Sequence, residues 1–302
     1  MVGGNVFGWT IDEKRGFEVL DAFFAGGATM IDTADAYYAY KPGNVGGESE
    51  TIIGQWMKAR GNRDKVQVAT KVGLLEINGE KGLKASVIEA GVEASLRRLQ
   101  TDYIDLYYSH VDDETVPQEE VARSFDRLVQ AGKVRLLGAS SFRQDRLESA
   151  LRISEENGLA PYRVLQPQLN LMSTSSFPSE YRKFCVDRGI GVLTYFALAS
   201  GFLTGKYRKP EDVKDNNRSS ALSRYFNERG EKVLAALDHV SAQTGATPAQ
   251  IALAWIIATP GVTGPIVSAT SVEQVESLIP AISLRLEQEH VALLDQAAAT
   301  PV

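Results

Sequence analysis

The feature that most constrains the fold is a regular alternation of short apolar runs and longer amphipathic segments along almost the whole chain. The segments between the runs have helical spacing, as at 85–99 and 121–130. Several runs are apolar on both faces, which is typical of parallel strands covered by helices. The pattern predicts eight strands, at residues 2–4, 28–31, 66–69, 103–108, 134–137, 164–169, 190–195 and 264–267.

The alternation predicts an α/β protein and, within that class, a single (β/α)8 TIM barrel over residues 1–302. No composition break or long polar linker divides the chain, and 302 residues is an ordinary length for such a barrel. The alternative is a doubly wound open sheet. It is disfavoured because no Gly-x-Gly-x-x-Gly lies between a strand and a helix, and the loop at 43–47 only approaches that spacing.

Composition excludes several classes of function. The net charge of −6 offers no basic surface for nucleic acid or an anionic membrane. Cys185 is the single cysteine, and His110, His239 and His290 show no ligand spacing, so we expect neither a disulfide framework nor a metal site. Residues 1–5 lack the features of a signal peptide, and we expect a cytoplasmic protein.

Polar side chains follow neighbouring strands where each strand ends. Asp32 and Tyr37 follow the second run, Lys71 follows the third and His110 follows the fourth. Each has an ordinary explanation alone, as a turn former, a rim charge, loop packing or a structural histidine. Their common position favours a shared site, because chemistry in an α/β barrel occurs at the carboxyl ends of the strands.

These four side chains make chemical sense together. A carboxylate beside a buried lysine keeps the ammonium charged, because the opposite charge offsets the cost of desolvation. A cation close to a phenol favours phenolate and makes the tyrosine a better acid. A nearby imidazole can orient a carbonyl oxygen. The set suits protonation of an oxyanion without a metal ion.

Five segments resemble those of the aldo-keto reductase family, in the family's order and over nearly the whole chain. They are Ile-Asp-Thr-Ala-Asp-Ala-Tyr at 31–37, Ala-Thr-Lys at 69–71, Tyr-Ile-Asp-Leu-Tyr-Tyr-Ser-His at 103–110, Gly-Phe-Leu-Thr-Gly-Lys-Tyr at 201–207, and residues 265–274. The chain is most similar to longer bacterial-type members, which are related to potassium-channel beta-subunit-like proteins and to sugar and aldehyde reductases. The resemblance implies NADP(H)-dependent reduction of aldehydes or ketones by direct hydride transfer.

The resemblance also implies roles for individual residues. Tyr37 would be the general acid, Lys71 would lower its pKa, Asp32 would be the partner of Lys71, and His110 would position the carbonyl. Tyr195 would stack on the nicotinamide. The residues implied to contact the rest of the cofactor are Ser140, Ser141 and Gln166 near the carboxamide, Leu198, Gly201, Leu203 and Lys206 at the pyrophosphate, and Ser268, Thr270 and Gln274 at the adenosine 2′-phosphate and adenine.

Four positions depart from the family pattern. Ser141 replaces the usual Asn, Ser268 a Gly, Thr270 a basic residue that often grips the 2′-phosphate, and Leu278 an Asn that often reads the adenine. NADP(H) stays the favoured cofactor, with NAD(H) as the alternative. The family also opens with a hairpin, so the resemblance implies that this hairpin and much of strand 1 are absent and that the chain is trimmed or starts from the wrong Met.

Substrate identity is open beyond a small carbonyl compound, and the oligomeric state is not indicated. Trp9 and Tyr38 are expected to line the substrate pocket, and Arg218 or Arg224 to contact a phosphate. Two other functions are kept. One is a Schiff-base aldolase using Lys71, and the other is a nicotinamide-binding redox-sensing regulatory subunit with little turnover.

Overall fold

The computed structural model describes residues 1–214 and 219–299. The chain divides into two compact units. Unit 1 comprises residues 1–166, 189–191 and 268–275, and unit 2 comprises the described part of 167–188, 192–267 and 276–302. The four residues with the predicted acid–base roles all belong to unit 1.

Unit 1 contains six strands that pair in chain order, and each pairing is parallel. The strands are β1 (Val2–Gly3), β2 (Met30–Asp32), β3 (Gln67–Val72), β4 (Ile104–Ser109), β5 (Val134–Ser140) and β6 (Tyr162–Gln166). Between them lie helices α1 (Glu13–Ala25), α2 (Glu48–Arg60), α3 (Ala85–Leu99), α4 (Gln118–Gln130) and α5 (Gln144–Asn157). All of β4 and all of β3 after its first residue are buried, as expected of strands covered on both faces.

The register of β2 and β3 brings the polar strand ends together. Asp32 pairs with Ala69, and Lys71 lies two residues further along β3. Because side chains alternate across a strand, Ala69 and Lys71 point to the same face of the sheet. The side chains of Asp32 and Lys71 therefore reach the same side of the sheet at its carboxyl edge.

Helix α2 packs very closely on the end of α3. A Cβ atom added at Gly54 would lie 2.3 Å from the carbonyl oxygen of Arg98, so only glycine allows this approach. Glu50 is one helical turn before Gly54 and shares its face of α2. The close contact therefore carries the carboxylate of Glu50 to the guanidinium of Arg98.

Unit 2 contains β8 (Gly264–Pro265) and all of β7 (Gly191–Thr194) except its first residue, and these strands pair in parallel. Its helices are α6 (Ser179–Asp187), α7 (Ser219–Ser223), α8 (Glu228–Thr244), α9 (Pro248–Ala258) and α11 (Gln288–Ala298), while α10 (Val272–Leu278) begins in unit 1 and ends in unit 2. Helix α9 begins after Thr247, which forms a reciprocal capping box with Gln250, and Pro248 lies in its first turn.

The structure confirms an α/β fold in which parallel strands alternate with helices. Several predicted strand boundaries differ from the structure by up to three residues. The run at 164–169 predicts a strand that continues past residue 166, but β6 ends at Gln166, because Pro167 has no N–H to continue the ladder. Closure into one barrel, a single domain and the absent opening hairpin stay predictions. In the part of the chain that the structure describes, no helix is long and apolar enough to cross a membrane.

Candidate active site

Lys71 is the centre of a buried polar cluster in unit 1. Its side chain is 1% exposed, and the ammonium nitrogen donates hydrogen bonds to Asp32 Oδ1 at 2.7 Å, Thr33 O at 2.8 Å and Tyr37 Oη at 2.8 Å. An ammonium group has three protons to donate, so each has an acceptor here. This arrangement allows a charge to stay in the interior, because the ion pair and the hydrogen bonds offset its desolvation.

Tyr37 lies in the loop after β2 and completes the cluster. Its hydroxyl donates to Asp32 Oδ2 at 2.7 Å while it accepts from Lys71. The phenol is thus held between an anion and a cation, with one lone pair of its oxygen still available. A group held in this way can give a proton to an incoming oxygen and leave its negative charge beside the ammonium.

The pKa directions partly contradict the expectation from sequence. Burial and the Asp32 carboxylate raise the pKa of Tyr37 well above its ordinary value, whereas Lys71 was expected to lower it. Burial lowers the pKa of Lys71, and Asp32 opposes that change. The expectation was wrong because it considered the cation alone, while the hydroxyl also donates to a carboxylate.

His110 follows β4 and lies beside Tyr37. The two rings meet edge to face, with centroids 6.0 Å apart. Burial, with a smaller contribution from Lys71, lowers the pKa of His110 to about 3, so the imidazole is neutral near pH 7. Its Nδ1 atom is buried and has no hydrogen-bond partner among the described residues. A neutral imidazole carries one N–H and can donate it to a carbonyl oxygen.

Gln166 has a contact that sequence reasoning missed. At the end of β6, its side-chain amide donates to Asp32 Oδ1 at 2.8 Å, instead of standing apart from the acid–base group. Asp32 thus accepts three hydrogen bonds, from Lys71, Tyr37 and Gln166. The sequence contained one indication of this contact. Gln166 is an amide side chain at the end of an apolar run, and a buried amide requires a polar partner.

Other residues expected to hold the cofactor also belong to unit 1. Ser140 is buried at the end of β5, and the backbone N–H of Ser141, whose φ is 58°, donates to the Gln166 carbonyl at 3.1 Å. Ser268 donates a short hydrogen bond to Asn5. The amide and hydroxyl of Thr270 donate to the side chain of Gln274 at 2.9 and 3.2 Å.

The remaining predicted cofactor residues belong to unit 2. Tyr195 is half-buried just after β7, and its N–H donates to the Pro167 carbonyl at 3.0 Å. The following turn has an unusual backbone, with positive φ at Ala199 (48°), Ser200 (59°) and Gly201 (98°). The remaining predicted residues of this turn are Leu198, which is half-buried, Leu203, which is buried, and Lys206, which is exposed. Strained conformations of this kind cluster at ligand sites.

Trp9 and Tyr38, the two expected substrate contacts, stack on each other in unit 1. Their ring centroids are 3.7 Å apart and the ring planes differ by 12°. Lys41 donates to the Trp9 carbonyl at 2.8 Å, and Tyr38 has a φ of 54°. The stacked pair provides a flat aromatic surface, and one of its members, Tyr38, directly follows Tyr37 in the chain.

The structure describes one of the two arginines that were expected to contact a phosphate. Arg218 lies outside the described residues, and Arg224 donates to the Tyr225 hydroxyl at 2.7 Å. Among the described residues, no group of three or more His, Cys, Asp or Glu side chains is arranged to hold a metal ion.

The fold and this cluster define an α/β protein with a buried group of ionisable side chains at the carboxyl ends of its parallel strands. Comparison with known proteins identifies the family. The Aldo/keto reductase family model matches residues 1–299. Aldo-keto reductase YhdN of Bacillus subtilis is 34% identical over 288 residues, which cover 92% of this chain and 81% of the relative.

Two other relatives are similar over most of the chain. "Uncharacterized oxidoreductase YrpG" of Bacillus subtilis is 31% identical over 301 residues, covering 97% of this chain and 90% of the relative. Norsolorinic acid reductase B of Aspergillus parasiticus is 31% identical over 308 residues, which cover 97% of this chain and 77% of the relative. The chain belongs to the aldo/keto reductase family of oxidoreductases.

Proposed function

We propose that the protein reduces aldehydes or ketones to alcohols by direct hydride transfer, with NADP(H) preferred to NAD(H). The observation that carries the proposal is the Tyr37 hydroxyl, held at hydrogen-bond distance from both the Lys71 ammonium and the Asp32 carboxylate. Membership of the aldo/keto reductase family supports reduction of a carbonyl group.

In this proposal Tyr37 is the general acid. It donates its proton to the substrate oxygen as that oxygen gains an electron pair, and Lys71 stabilises the negative charge left on the phenol. Asp32 keeps Lys71 charged and orients the Tyr37 hydroxyl through its second oxygen. His110, being neutral, offers a hydrogen bond to the carbonyl oxygen without adding a charge that would compete with Lys71.

In unit 1, polar residues at the strand ends suit the nicotinamide of a dinucleotide, which supplies the hydride when it is bound. Ser140 and Gln166 place polar side chains at the ends of β5 and β6, and would bind the carboxamide together with Ser141. The backbone after Tyr195, with its run of positive φ values, would hold the pyrophosphate. Ser268, Thr270 and Gln274 would hold the adenosine end, where the first amides of α10 can meet a phosphate.

One observation favours the Schiff-base aldolase alternative: burial lowers the pKa of Lys71, as a nucleophilic lysine requires. The three hydrogen bonds that Lys71 donates, one of them to a carboxylate, favour the charged form instead. An imine would require all three to break. The reductase is therefore the better-supported proposal.

The proposal is tested by following the absorbance of the reduced cofactor with a panel of sugar, aliphatic and aromatic aldehydes and ketones. We expect consumption of NADPH with at least one class, and a higher kcat/KM with NADPH than with NADH. Tight binding of NADPH, measured by calorimetry, with no reduction across the panel would contradict the proposal and favour the redox-sensing subunit.

A second measurement separates the reductase from the aldolase. Borohydride is added to the protein with each active carbonyl compound, and the intact mass is recorded. We expect no mass increase, because a reductase forms no imine. A stable adduct that is lost in Lys71→Met would contradict the reductase proposal.

A further inference from the structure

Asp35 lies three residues after Asp32 and has no place in the proposed reaction. Its side chain is fully buried, and neither carboxyl oxygen has a hydrogen-bond partner elsewhere in the described chain. The backbone group that acts on it is the adjacent Ala36 amide. A buried carboxyl group with so little solvation is rare in proteins and needs a physical explanation.

The surroundings of Asp35 contain two ion pairs, each already balanced. Lys71 is paired with Asp32 at 2.7 Å. Glu50 of α2 is also fully buried, and accepts from Arg98 Nε of α3 at 2.6 Å and from the Thr70 hydroxyl at 2.5 Å. Both nearby cations therefore have a carboxylate partner, and Asp35 is left without one.

The groups that interact electrostatically with Asp35 come from four elements. The charges are Glu50 of α2, Arg98 of α3 and Lys71 of β3. The hydroxyl of Tyr107 on β4, which also interacts electrostatically with Asp35, is buried without a partner among the described residues. Ionised Asp35 would add a third buried carboxylate to two cations, so the neutral acid is the favoured form at neutral pH.

We propose that Asp35 is a positioning residue for the reaction: it carries a proton at neutral pH, and in alkaline solution its carboxylate keeps Lys71 in the charged form that Tyr37 requires. Asp35 does not touch the substrate and acts through Lys71. The kinetic part of this inference rests on the proposed reductase function, while the charge states of Asp35 and Lys71 do not.

The electrostatics of both groups agree with this assignment. Burial, aided by Glu50, raises the pKa of Asp35 to about 8. Burial lowers the pKa of Lys71, and the carboxylates of Asp32, Asp35 and Glu50 oppose that change. As the pH rises through about 8, Asp35 gains a negative charge, which favours the ammonium form of Lys71. The two titrations are therefore coupled.

The charge state of Asp35 is measured directly in the wild-type protein. The 13C resonance of its side-chain carboxyl group is assigned through the backbone and followed against pH. We expect a midpoint near pH 8. A midpoint near the ordinary aspartate value of about 3.9 would overturn the proposal, and this measurement requires neither a variant nor turnover.

The effect on Lys71 is measured by the 13Cε resonance of lysine, assigned by its loss in Lys71→Met. Asp35→Asn is compared with the wild type and with Asp64→Asn, which removes an exposed carboxylate. We expect the Lys71 midpoint to fall by about one pH unit in Asp35→Asn and to stay unchanged in the control. Equal midpoints in the wild type and Asp35→Asn would overturn the proposal.

The kinetic consequence is read from the pH profile of kcat/KM for an active aldehyde. We expect the alkaline limb of Asp35→Asn to move to lower pH by the shift seen for Lys71. A uniform loss of rate at every pH would show a merely structural role and overturn the proposal. Absence of turnover in the wild type would instead refute the reductase function, while the two resonance titrations still decide the charge states.

Discussion

Asp32 and Asp35 are both buried, are three residues apart and lie near the same lysine, yet their surroundings differ completely. Asp32 accepts hydrogen bonds from Lys71, Tyr37 and Gln166, whereas Asp35 accepts none from any other side chain of the described residues. Burial alone therefore does not decide the charge of a carboxyl group. The donors around it do, because only donors and cations repay the loss of water.

The difference also separates two tasks. Asp32 pairs with Lys71 and accepts from the Tyr37 hydroxyl, and so holds both groups in place. Asp35, which the balanced ion pairs leave without a cation, changes its charge within an accessible pH range. The Asp32 carboxylate holds the cluster together. The Asp35 carboxylate extends the pH range over which Lys71 stays in its ammonium form. Each of the following changes breaks one side of this comparison.

The largest expected effect on stability comes from Lys71→Met. This change leaves Asp32 buried without its cation, and the free energy of unfolding is expected to fall by about 3–5 kcal/mol. Urea unfolding measures it, with the exposed Lys58→Met as the matched control. The double variant Lys71→Met/Asp32→Asn should regain part of the loss. A cost for Lys71→Met no greater than that of the control would show that the pair does not hold the buried charges.

A smaller effect is expected from Gln166→Met. The variant removes one of three donors to Asp32 while it keeps a similar volume, so the loss is about 1.5 kcal/mol, at the low end for a hydrogen bond to a charged group. Comparison with the same change in an Asp32→Asn background isolates the pair. If the cost is identical in both backgrounds, Gln166 does not stabilise the Asp32 carboxylate.

The effect of Asp35 on stability is spread over several pH units. Its pKa is raised from 3.8 to about 8 on folding, so between those values only the folded state holds the proton. Its contribution is complete below the lower value and is lost as the pH rises to the upper one. The loss is at most about 1.4 kcal/mol per pH unit.

This pH dependence is measured as the difference in unfolding free energy between Asp35→Asn and the wild type. Since the variant cannot ionise, we expect it to gain stability relative to the wild type from about pH 5 to about pH 8. Parallel curves for the two proteins would mean that Asp35 ionises equally in the folded and unfolded chains, which contradicts the comparison with Asp32.

Much of the fold is predictable because local patterns decide it. The helix predicted at 85–99 coincides with α3, and the apolar runs locate all eight described strands. Asp32, Tyr37, Lys71 and His110 are also predictable as a group, because parallel strands bring their ends to one edge. These features need only the periodicity of the chain and the polarity of the residue after each run.

The rest depends on contacts that a linear pattern does not contain. Gln166 donates to Asp32 across 134 positions, and Trp9 stacks on Tyr38, whose backbone is left-handed. The expected direction of the Tyr37 pKa shift was wrong, because the shift results from competition between the Lys71 cation, the Asp32 anion and burial. Which of these influences dominates depends on where the two charged groups lie and on how deeply the phenol is buried.

The central claim is that Tyr37, held between Lys71 and Asp32, is the proton donor. It is tested most directly by the single-turnover rate of reduction with Tyr37→Phe, compared with the wild type and with Tyr40→Phe, a tyrosine that is 81% exposed. We predict that Tyr37→Phe lowers the rate by about 10²–10⁴-fold while cofactor affinity is retained, and that Tyr40→Phe has little effect. A rate for Tyr37→Phe close to that of the wild type would contradict the account.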